Sequence, residues 1–168
     1  MTHISKALLL VAGLALAACT SPGRFDNPGN TVDLNNQNGF ADDSGDPTSP
    51  GYFNSVIGDR VLFAVDQGTL SPESRQILTG QASWLQANPE YIVVIEGHAD
   101  EQGTREYNLA LGARRASAVQ QFLIAQGILP SRLQTVTYGK ERPIEICSDE
   151  ACYSKNRRAV TVLQAGTS

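Results

Sequence analysis

The 168-residue chain is poor in the residue types that bind metals and nucleic acids. It contains two histidines, His3 and His98, and three cysteines, too few for a histidine-rich zinc site or a haem protein. Thirteen lysines and arginines stand against seventeen acidic residues, a formal net charge of −4. A nucleic-acid-binding protein needs a surplus of cations to neutralise phosphates. We therefore expect no metal, no cofactor and no nucleic-acid partner.

The small and apolar residues near the start form a run too short to span a bilayer. Residues 7–18 follow Lys6 and extend about 18 Å as a helix, against about 30 Å for a hydrocarbon core. A cation, a short apolar core and a small-residue exit are the parts of a secretory signal. The run ends in Leu16-Ala17-Ala18-Cys19, which resembles the bacterial lipobox.

That resemblance implies a lipoprotein signal peptide over residues 1–18 and lipidation of Cys19. The alternative is an ordinary secretory signal whose cleavage site happens to contain a cysteine. Two or three acyl chains give the durable membrane attachment that a single chain does not. Because Thr20, and not an aspartate, follows the cysteine, we expect delivery to the outer membrane with the folded part in the periplasm.

Residues 19–55 are predicted to form a flexible tether after the anchor. They are dense in Gly, Pro, Asn, Asp and Ser, and from Thr20 onward Arg24 stands against five aspartates. Apolar residues such as Val32 and Phe40 are too sparse to offset the entropy of ordering, so disorder is expected. Such a segment would let a folded head work away from the membrane.

Residues 56–168 are predicted to form one small α+β domain. The order is βαβαβ(α)β, which favours a mixed sheet with helices packed on one face. The predicted strands cover residues 60–66, 91–97, 133–138 and 159–163, and the helices residues 72–88, 104–126 and 151–157. In the second helix, the residues expected to face the core are Leu109, Ala113, Ala116, Val119 and Leu123.

Cys147 and Cys152 flank four residues just before the last predicted strand. In an oxidising periplasm this pair is predicted to form a structural disulfide that closes a short loop. A redox-active or zinc-binding motif is the competing interpretation, but the spacing suits either poorly.

Three polar side chains are predicted to meet where the second strand runs into the second helix. Asn108 and Arg115 are seven residues apart, so two helical turns place them on nearly the same face. Asp100 lies in the loop just upstream. A carboxylate, an amide and a guanidinium around one cleft suit a small zwitterion, whose carboxylate Arg115 would bind in a bidentate pair. The alternative is an Asp100–Arg115 salt bridge that only holds the loop.

Enzymatic chemistry is not expected of this chain. His98 and Asp100 could be half of a hydrolase or metal site, but no other histidine lies beyond the signal segment to complete it. No G-x-S-x-G turn surrounds a serine, and no glycine-rich phosphate loop is present. A binding function is therefore the hypothesis that the sequence favours.

Five ordered motifs make the family recognisable. They are Glu96–Glu101, Glu106–Asn108, Arg114–Ala116, Val136–Glu141 and Asn156–Val160. Together they resemble the outer-membrane protein A-like peptidoglycan-binding domain over about residues 58–164. The lipobox and tether are similar to those of the lipid-anchored members that act in the Tol–Pal system.

The resemblance implies a protein that binds the diaminopimelate-containing stem peptide of peptidoglycan without covalent attachment. It would tether the outer membrane to the cell wall and support envelope integrity and constriction during division. The ligand-binding residues implied are Phe63, Asp66, Asp100, Thr104, Asn108, Leu111 and Arg115. Asp100 and Arg115 would grip the free amino-acid end of the ligand.

The resemblance also implies TolB and other Tol–Pal components as partners. The alternative function is a periplasmic protein-interaction module whose main ligand is a protein such as TolB. This chain departs from the family pattern at two positions, with Gln102 in place of the usual arginine and Arg105 in place of the usual proline. These departures bear on the rigidity of the cleft loop and on one peripheral contact.

Overall fold

The structure, a computed structural model of the chain, describes residues 45–146 and 148–165. The predicted signal peptide, Cys19, Cys147 and most of the predicted tether lie outside the described residues. The helices are α1 (Pro50–Tyr52), a π-helical turn (Phe53–Gly58), α2 (Pro72–Ala87), α3 (Arg105–Ala125), a 3₁₀ turn (Pro130–Arg132) and α4 (Glu150–Asn156). The strands are β1 (Arg60–Leu62), β2 (Tyr91–His98), β3 (Leu133–Gly139) and β4 (Arg158–Ala165).

The four strands form one mixed sheet in the order β1-β4-β2-β3. β4 pairs antiparallel with both β1 and β2, whereas β2 and β3 run parallel. Helix α3 packs on β2 and β3, and α2 packs beside β1 and α3. The predicted α+β fold with a mixed sheet is therefore confirmed.

Local capping chemistry sets the ends of the two long helices. The Ser71 hydroxyl accepts a hydrogen bond from Ser74 N at the start of α2, and Pro72 occupies the first helical position. Thr104 caps α3 in the same way, accepting from Tyr107 N. After α3, Gly127 has a φ of +97° and its N–H donates to the Ile124 carbonyl. This is a glycine-terminated helix end of the kind that the sequence predicted.

The segment before β1 is more ordered than predicted. Ser49 caps α1, and the ring of Phe53 is fully buried with its centre 4.9 Å from that of Trp84. The Trp84 indole N–H donates to the Pro47 carbonyl at 2.7 Å. The prediction of a flexible tether is therefore wrong for residues 45–55, because burial of Phe53 against Trp84 compensates for the entropy of ordering them.

The first strand is shorter than predicted. Phe63 N still donates to the Arg157 carbonyl at 2.9 Å, but the chain then turns, with Gln67 N donating to the Ala64 carbonyl at 3.2 Å. Asp66 has a φ of +56°, in the left-handed region that few non-glycine residues adopt. Residues 63–66 thus end in a turn at the edge of the sheet rather than continuing the strand.

Two glycines let α3 approach the sheet closely. A Cβ atom on Gly97 of β2 would lie 1.9 Å from the Gly112 carbonyl oxygen, and one on Gly112 of α3 would lie 2.4 Å from Thr137 Oγ1. That hydroxyl donates to the Leu109 carbonyl at 2.9 Å. Contact at this distance fixes the N-terminal half of α3 against the C-terminal end of β2, where the candidate site begins.

The buried face of α3 differs from the predicted one. Ala116, Val119 and Leu123 face the core as expected, but Ala113 is exposed. Two polar residues, Asn108 and Arg115, are fully buried on the face toward the sheet. The apolar pattern could not predict this orientation, because the residues that extend the buried face toward the helix N-terminus are polar.

Candidate ligand-binding cleft

A cleft of about 230 Å³ opens at the N-terminal end of α3. Its walls are the turn after β1, the loop after β2 and the first turns of α3. The lining residues are Val65, Asp66, Asp100, Gln102, Gly103, Tyr107, Asn108 and Leu111. Four predicted site residues lie together here: Asp66, Asp100, Asn108 and Leu111. Asp100 and Asn108, which were predicted to lie close together, thus line the same cleft.

Asp100 is buried at the inner wall of the cleft, with 6% of its surface exposed. Its Oδ1 accepts a hydrogen bond from Gln102 N at 3.2 Å, and its Oδ2 lies 3.2 Å from Nη1 of Arg157. The alternative interpretation, an Asp100–Arg115 salt bridge, is therefore wrong: Arg157 is the residue paired with Asp100. Both carboxylate oxygens are held in place, which orients the group within the cleft.

Arg115 lies behind the cleft and does not line it. Its guanidinium donates to three backbone carbonyls, those of Gln67 at 2.8 Å, His98 at 2.8 Å and Ala64 at 3.2 Å. Burial lowers the pKa of Arg115 to about 10, an effect that the Asp100 carboxylate opposes, so the group is charged at neutral pH. The expectation that Arg115 sits at the cleft surface is wrong, because its side chain is fully buried.

Asn108 presents an unused acceptor beside the cleft. Its Nδ2 donates to the Gln102 carbonyl at 2.8 Å, which holds the loop after β2 against α3. Its Oδ1 is buried and has no hydrogen-bond partner within residues 45–146 and 148–165. A buried acceptor without a donor is costly, so this oxygen is suited to a donor group brought by a ligand.

Two of the predicted site residues lie next to the cleft but outside its lining. Thr104 is exposed and acts as the N-cap of α3. Phe63 is buried, and its ring centre lies 5.2 Å from the guanidinium carbon of Arg115. Phe63 therefore stabilises the Arg115 guanidinium through a cation–π interaction.

Tyr107 closes one side of the cleft by a hydrogen bond to Asp66. The Tyr107 hydroxyl donates to the Asp66 carboxylate, and this bond raises the pKa of Tyr107. The bond joins the turn after β1 to the first turn of α3. Sequence reasoning assigned Tyr107 no role, although it stands in the quoted motif Glu106–Asn108. Asp66, which adopts the left-handed conformation, and Tyr107 are 41 residues apart, so the sequence gives no local signal for this contact.

The loop after β3 contacts Arg105, one of the two departures from the family pattern, and the backbone next to Gln102, the other. Nε of Arg105 lies 3.1 Å from Oε1 of Glu141, and Lys140 Nζ donates to the Gly103 carbonyl at 2.7 Å. These contacts hold the loop that contains Gln102, whose side chain belongs to the cleft wall. Both contacts are exposed to solvent, and an exposed ion pair contributes little by itself.

His98 is buried and neutral at pH 7. Burial, with help from the charges of Arg158 and Arg142, lowers the pKa of His98 to about 4. Neither ring nitrogen makes a hydrogen bond within the described part of the chain, although Nε2 lies 3.4 Å from Oε2 of Glu96. Its ring packs on Tyr138 with 5.5 Å between centres.

The described residues hold no group of three or more metal-binding side chains placed to share an ion. A separate search of the same residues found no helix with the length and hydrophobicity needed to cross a membrane. The predicted bridge involves Cys152, which lies in α4, and Cys147, which is outside the described residues. The Cys147–Cys152 disulfide therefore stays a prediction.

The fold and cleft agree with a family match. Residues 62–157 match the OmpA family, a range that includes α2, β2, α3, β3, α4 and the cleft walls. The chain is thus an OmpA-family protein. At the level of fold alone, it is similar to the C-terminal domain of Helicobacter pylori MotB, with 21% identity, a TM-score of 0.60 and coverage of 64% of this chain and 84% of that one.

Relatives that match over most of their length show to which group of OmpA-family proteins the chain belongs. The chain is 47% identical over 168 residues to the peptidoglycan-associated lipoprotein of Mesorhizobium japonicum, covering 100% of this chain and 96% of the relative. It is 40% identical to the protein of the same name from Pasteurella multocida, covering 95% and 98%. The crystal structure of the Burkholderia pseudomallei peptidoglycan-associated lipoprotein is 35% identical, with a TM-score of 0.66 and coverage of 71% of this chain and 100% of that one. The chain belongs to the peptidoglycan-associated lipoproteins, which confirms the resemblance drawn from the motifs.

Proposed function

We propose that this protein binds peptidoglycan non-covalently, and without catalysis, through the cleft at the N-terminal end of α3. The ligand we propose is the diaminopimelate-containing stem peptide. The observation that carries the proposal is the pair of carboxylates, Asp66 and Asp100, that line one small cleft. A ligand with a free ammonium group would complement them.

The polar atoms of the cleft explain how such an ammonium would be recognised. The Asp100 carboxylate is nearly buried, and a charge removed from water interacts more strongly with a ligand charge than an exposed one does. The Asn108 Oδ1 atom, which lacks a donor among the described residues, would accept from the same ammonium or from a ligand amide. Leu111 supplies an apolar surface for the methylene groups between the two ends of the ligand.

Arg115 would serve the opposite end of the zwitterion. A guanidinium has five N–H donors, and Arg115 uses three of them on backbone carbonyls. One N–H on each terminal nitrogen is left for a bidentate bond to a carboxylate. Since Arg115 is fully buried, the ligand would have to displace part of the turn at Ala64–Gln67 to reach it.

Retention on purified sacculi tests the binding proposal. Full-length protein in detergent is mixed with sacculi, and the fraction that sediments is measured for the wild type and for Asp100→Asn. Removing one partner of a desolvated charge pair costs about 2–5 kcal/mol, so the variant should bind at least about thirtyfold more weakly. Asp59→Asn is the matched control, because Asp59 pairs with Arg60 and does not line the cleft.

Two results would contradict the binding proposal. One is the absence of wild-type protein from the sacculus pellet. The other is full retention of Asp100→Asn with an unchanged melting temperature. Release of soluble muropeptides by the wild type would contradict the non-catalytic part separately.

We further propose that the protein is anchored in the outer membrane through lipidated Cys19 and serves the Tol–Pal system in envelope integrity and division. The support is the lipobox at residues 16–19 and membership of a lipoprotein family. Cys19→Ser should fractionate with soluble periplasmic protein or remain uncleaved, because acyl chains supply the membrane affinity. Mass spectrometry of the mature wild-type chain should show the added lipid, and an unmodified Cys19 would refute the anchor.

Binding of TolB to the same region is the second function that we propose. Val65 and Tyr107 line the cleft and are about half exposed, at 54% and 43%, so the cleft has an apolar rim that a protein could cover. TolB should then compete with sacculi for this protein. Simultaneous binding of both would argue for separate surfaces.

A further inference from the structure

Arg157 joins three segments of the fold behind the cleft. It lies between α4 and β4, and its side chain is 5% exposed. Nη1 lies 3.2 Å from Oδ2 of Asp100, and Nε donates to the Phe63 carbonyl at 3.2 Å. A backbone hydrogen bond joins the same two residues, since Phe63 N donates to the Arg157 carbonyl. Arg157 therefore ties the end of β1 to the carboxylate that lines the cleft.

The same guanidinium also forms an ion pair with the exposed carboxylate of Glu150. Nη2 of Arg157 bonds to Oε1 of Glu150, and Nη1 lies 3.3 Å from Oε2. This pairing lowers the pKa of Glu150 and raises that of Arg157. Glu150 is the first residue of α4, whose N-cap Asp149 accepts from Cys152 N. Helix α4 is thus connected to the cleft through two consecutive ion pairs.

This arrangement matters because Asp100 is nearly buried. Burying a carboxylate is costly unless a partner charge and hydrogen bonds compensate for the lost hydration. Arg157 supplies that compensation and also fixes the direction of Oδ2. Glu150 in turn offsets the positive charge of Arg157, so that Asp100 retains attraction for a cationic ligand. Arg157 does not line the cleft, and its action on a ligand would pass through Asp100.

We infer that Arg157 is a positioning residue for ligand binding, and that Glu150 sets how strongly Arg157 holds Asp100. This inference rests on the proposed function, in which Asp100 takes the ligand ammonium. It extends the functional site to α4 and to the motif Asn156–Val160, where sequence reasoning assigned no ligand-related role.

The test measures binding of a diaminopimelate-containing tripeptide to the full-length protein in detergent by calorimetry. Arg157→Gln should weaken binding tenfold or more, and Arg157→Lys should restore part of the loss because it keeps the cation. Glu150→Gln should weaken binding several-fold, and this loss should shrink at high salt because Glu150 is exposed. Glu145→Gln is the matched control, since Glu145 is a glutamate that pairs with Lys155 of α4 and does not line the cleft.

A double variant separates positioning from general stabilisation. In the Asp100→Asn background, Arg157→Gln should cause no further loss of binding, since there is no charge left to orient. Equal losses in both backgrounds would overturn the inference, as would wild-type affinity of folded Arg157→Gln. If Arg157→Gln does not fold, the affinity of Glu150→Gln for the tripeptide tests the inference instead. An affinity equal to that of Glu145→Gln would overturn it.

Failure of the inference can be told apart from failure of the proposed function. If the wild type binds neither the tripeptide nor sacculi, the proposed function is wrong and the inference falls with it. If the wild type binds and Asp100→Asn does not, while both Arg157→Gln and Glu150→Gln bind normally, only the inference is wrong.

Discussion

The guanidinium of Arg115 and the ring of Phe63 lie against each other under the cleft, with 5.2 Å between the guanidinium carbon and the ring centre. Both side chains are buried. A charged side chain at this position is stabilised by carbonyl oxygens on one side and by the aromatic face on the other. Arg115 is therefore part of the structural support of the cleft as well as a candidate ligand contact.

Arg115→Leu should destabilise the domain strongly. The substitution removes the Arg115 donor from the Gln67 and His98 carbonyls, at about 1–3 kcal/mol for each unsatisfied group, whereas the Ala64 carbonyl keeps its bond from Gln67 N. A loss of about 3 kcal/mol or more corresponds to a fall in melting temperature of about 10 °C or more. Arg114→Leu is the matched control, because Arg114 is the exposed neighbour in the same helix. Equal melting temperatures of the two variants in thermal unfolding would contradict the structural role of Arg115.

Gly112→Ala should destabilise the contact between α3 and the sheet. The new Cβ would lie 2.4 Å from Thr137 Oγ1 and 2.8 Å from the Gly97 carbonyl oxygen, and overpacking of this kind costs about 1–3 kcal/mol. Gly80→Ala in α2 is the control, since the nearest atom to its Cβ would be Ile57 Cγ2 at an ordinary 3.7 Å. That variant should gain about 0.5–1 kcal/mol from helix propensity. Urea unfolding of both variants measures the difference, and a stabilised Gly112→Ala would show that the approach is looser than described.

The stability of the domain should fall as the pH drops from about 6.5 to about 4, in part because of His98. Its pKa is lowered to about 4 in the folded protein, so between these values the unfolded chain binds a proton that the folded one does not. The shift corresponds to about 3 kcal/mol lost by pH 4. Arg142 and Arg158 favour the neutral ring, whereas Glu96 is the carboxylate nearest to it.

His98→Phe removes this titration while keeping an aromatic ring against Tyr138. The variant should lose less stability than the wild type between pH 6.5 and pH 4, as measured by urea unfolding at several pH values. An NMR titration of the wild type that places the His98 pKa near 6.5 would refute the explanation.

Replacing both Cys147 and Cys152 with serine should lower the melting temperature without preventing sacculus binding. A disulfide closing so short a loop contributes about 2–3 kcal/mol. Helix α4 would keep its Asp149 cap, and with it the position of Glu150. Alkylation of both thiols in protein taken directly from the periplasm would show that no bridge forms.

The amino-acid sequence by itself determined the features that depend on neighbouring residues. Ser71 and Thr104 start helices because each hydroxyl can reach an N–H three residues ahead, and Gly127 ends one because it accepts a positive φ. The motifs around Asp100 and Asn108 identified the family and the region of the cleft, because motifs are recognised from neighbouring residues and from their order along the chain.

Only the tertiary structure decided which distant groups meet. Local spacing left open an Asp100–Arg115 pair as the alternative to ligand binding, but the fold brings Arg157 to Asp100 and directs Arg115 to backbone carbonyls. Residues 45–55 have the composition of a flexible linker, yet Phe53 finds a buried place against Trp84. These contacts form only when the helices and strands pack together. The free energy gained by burying side chains in that packing outweighs local conformational preference.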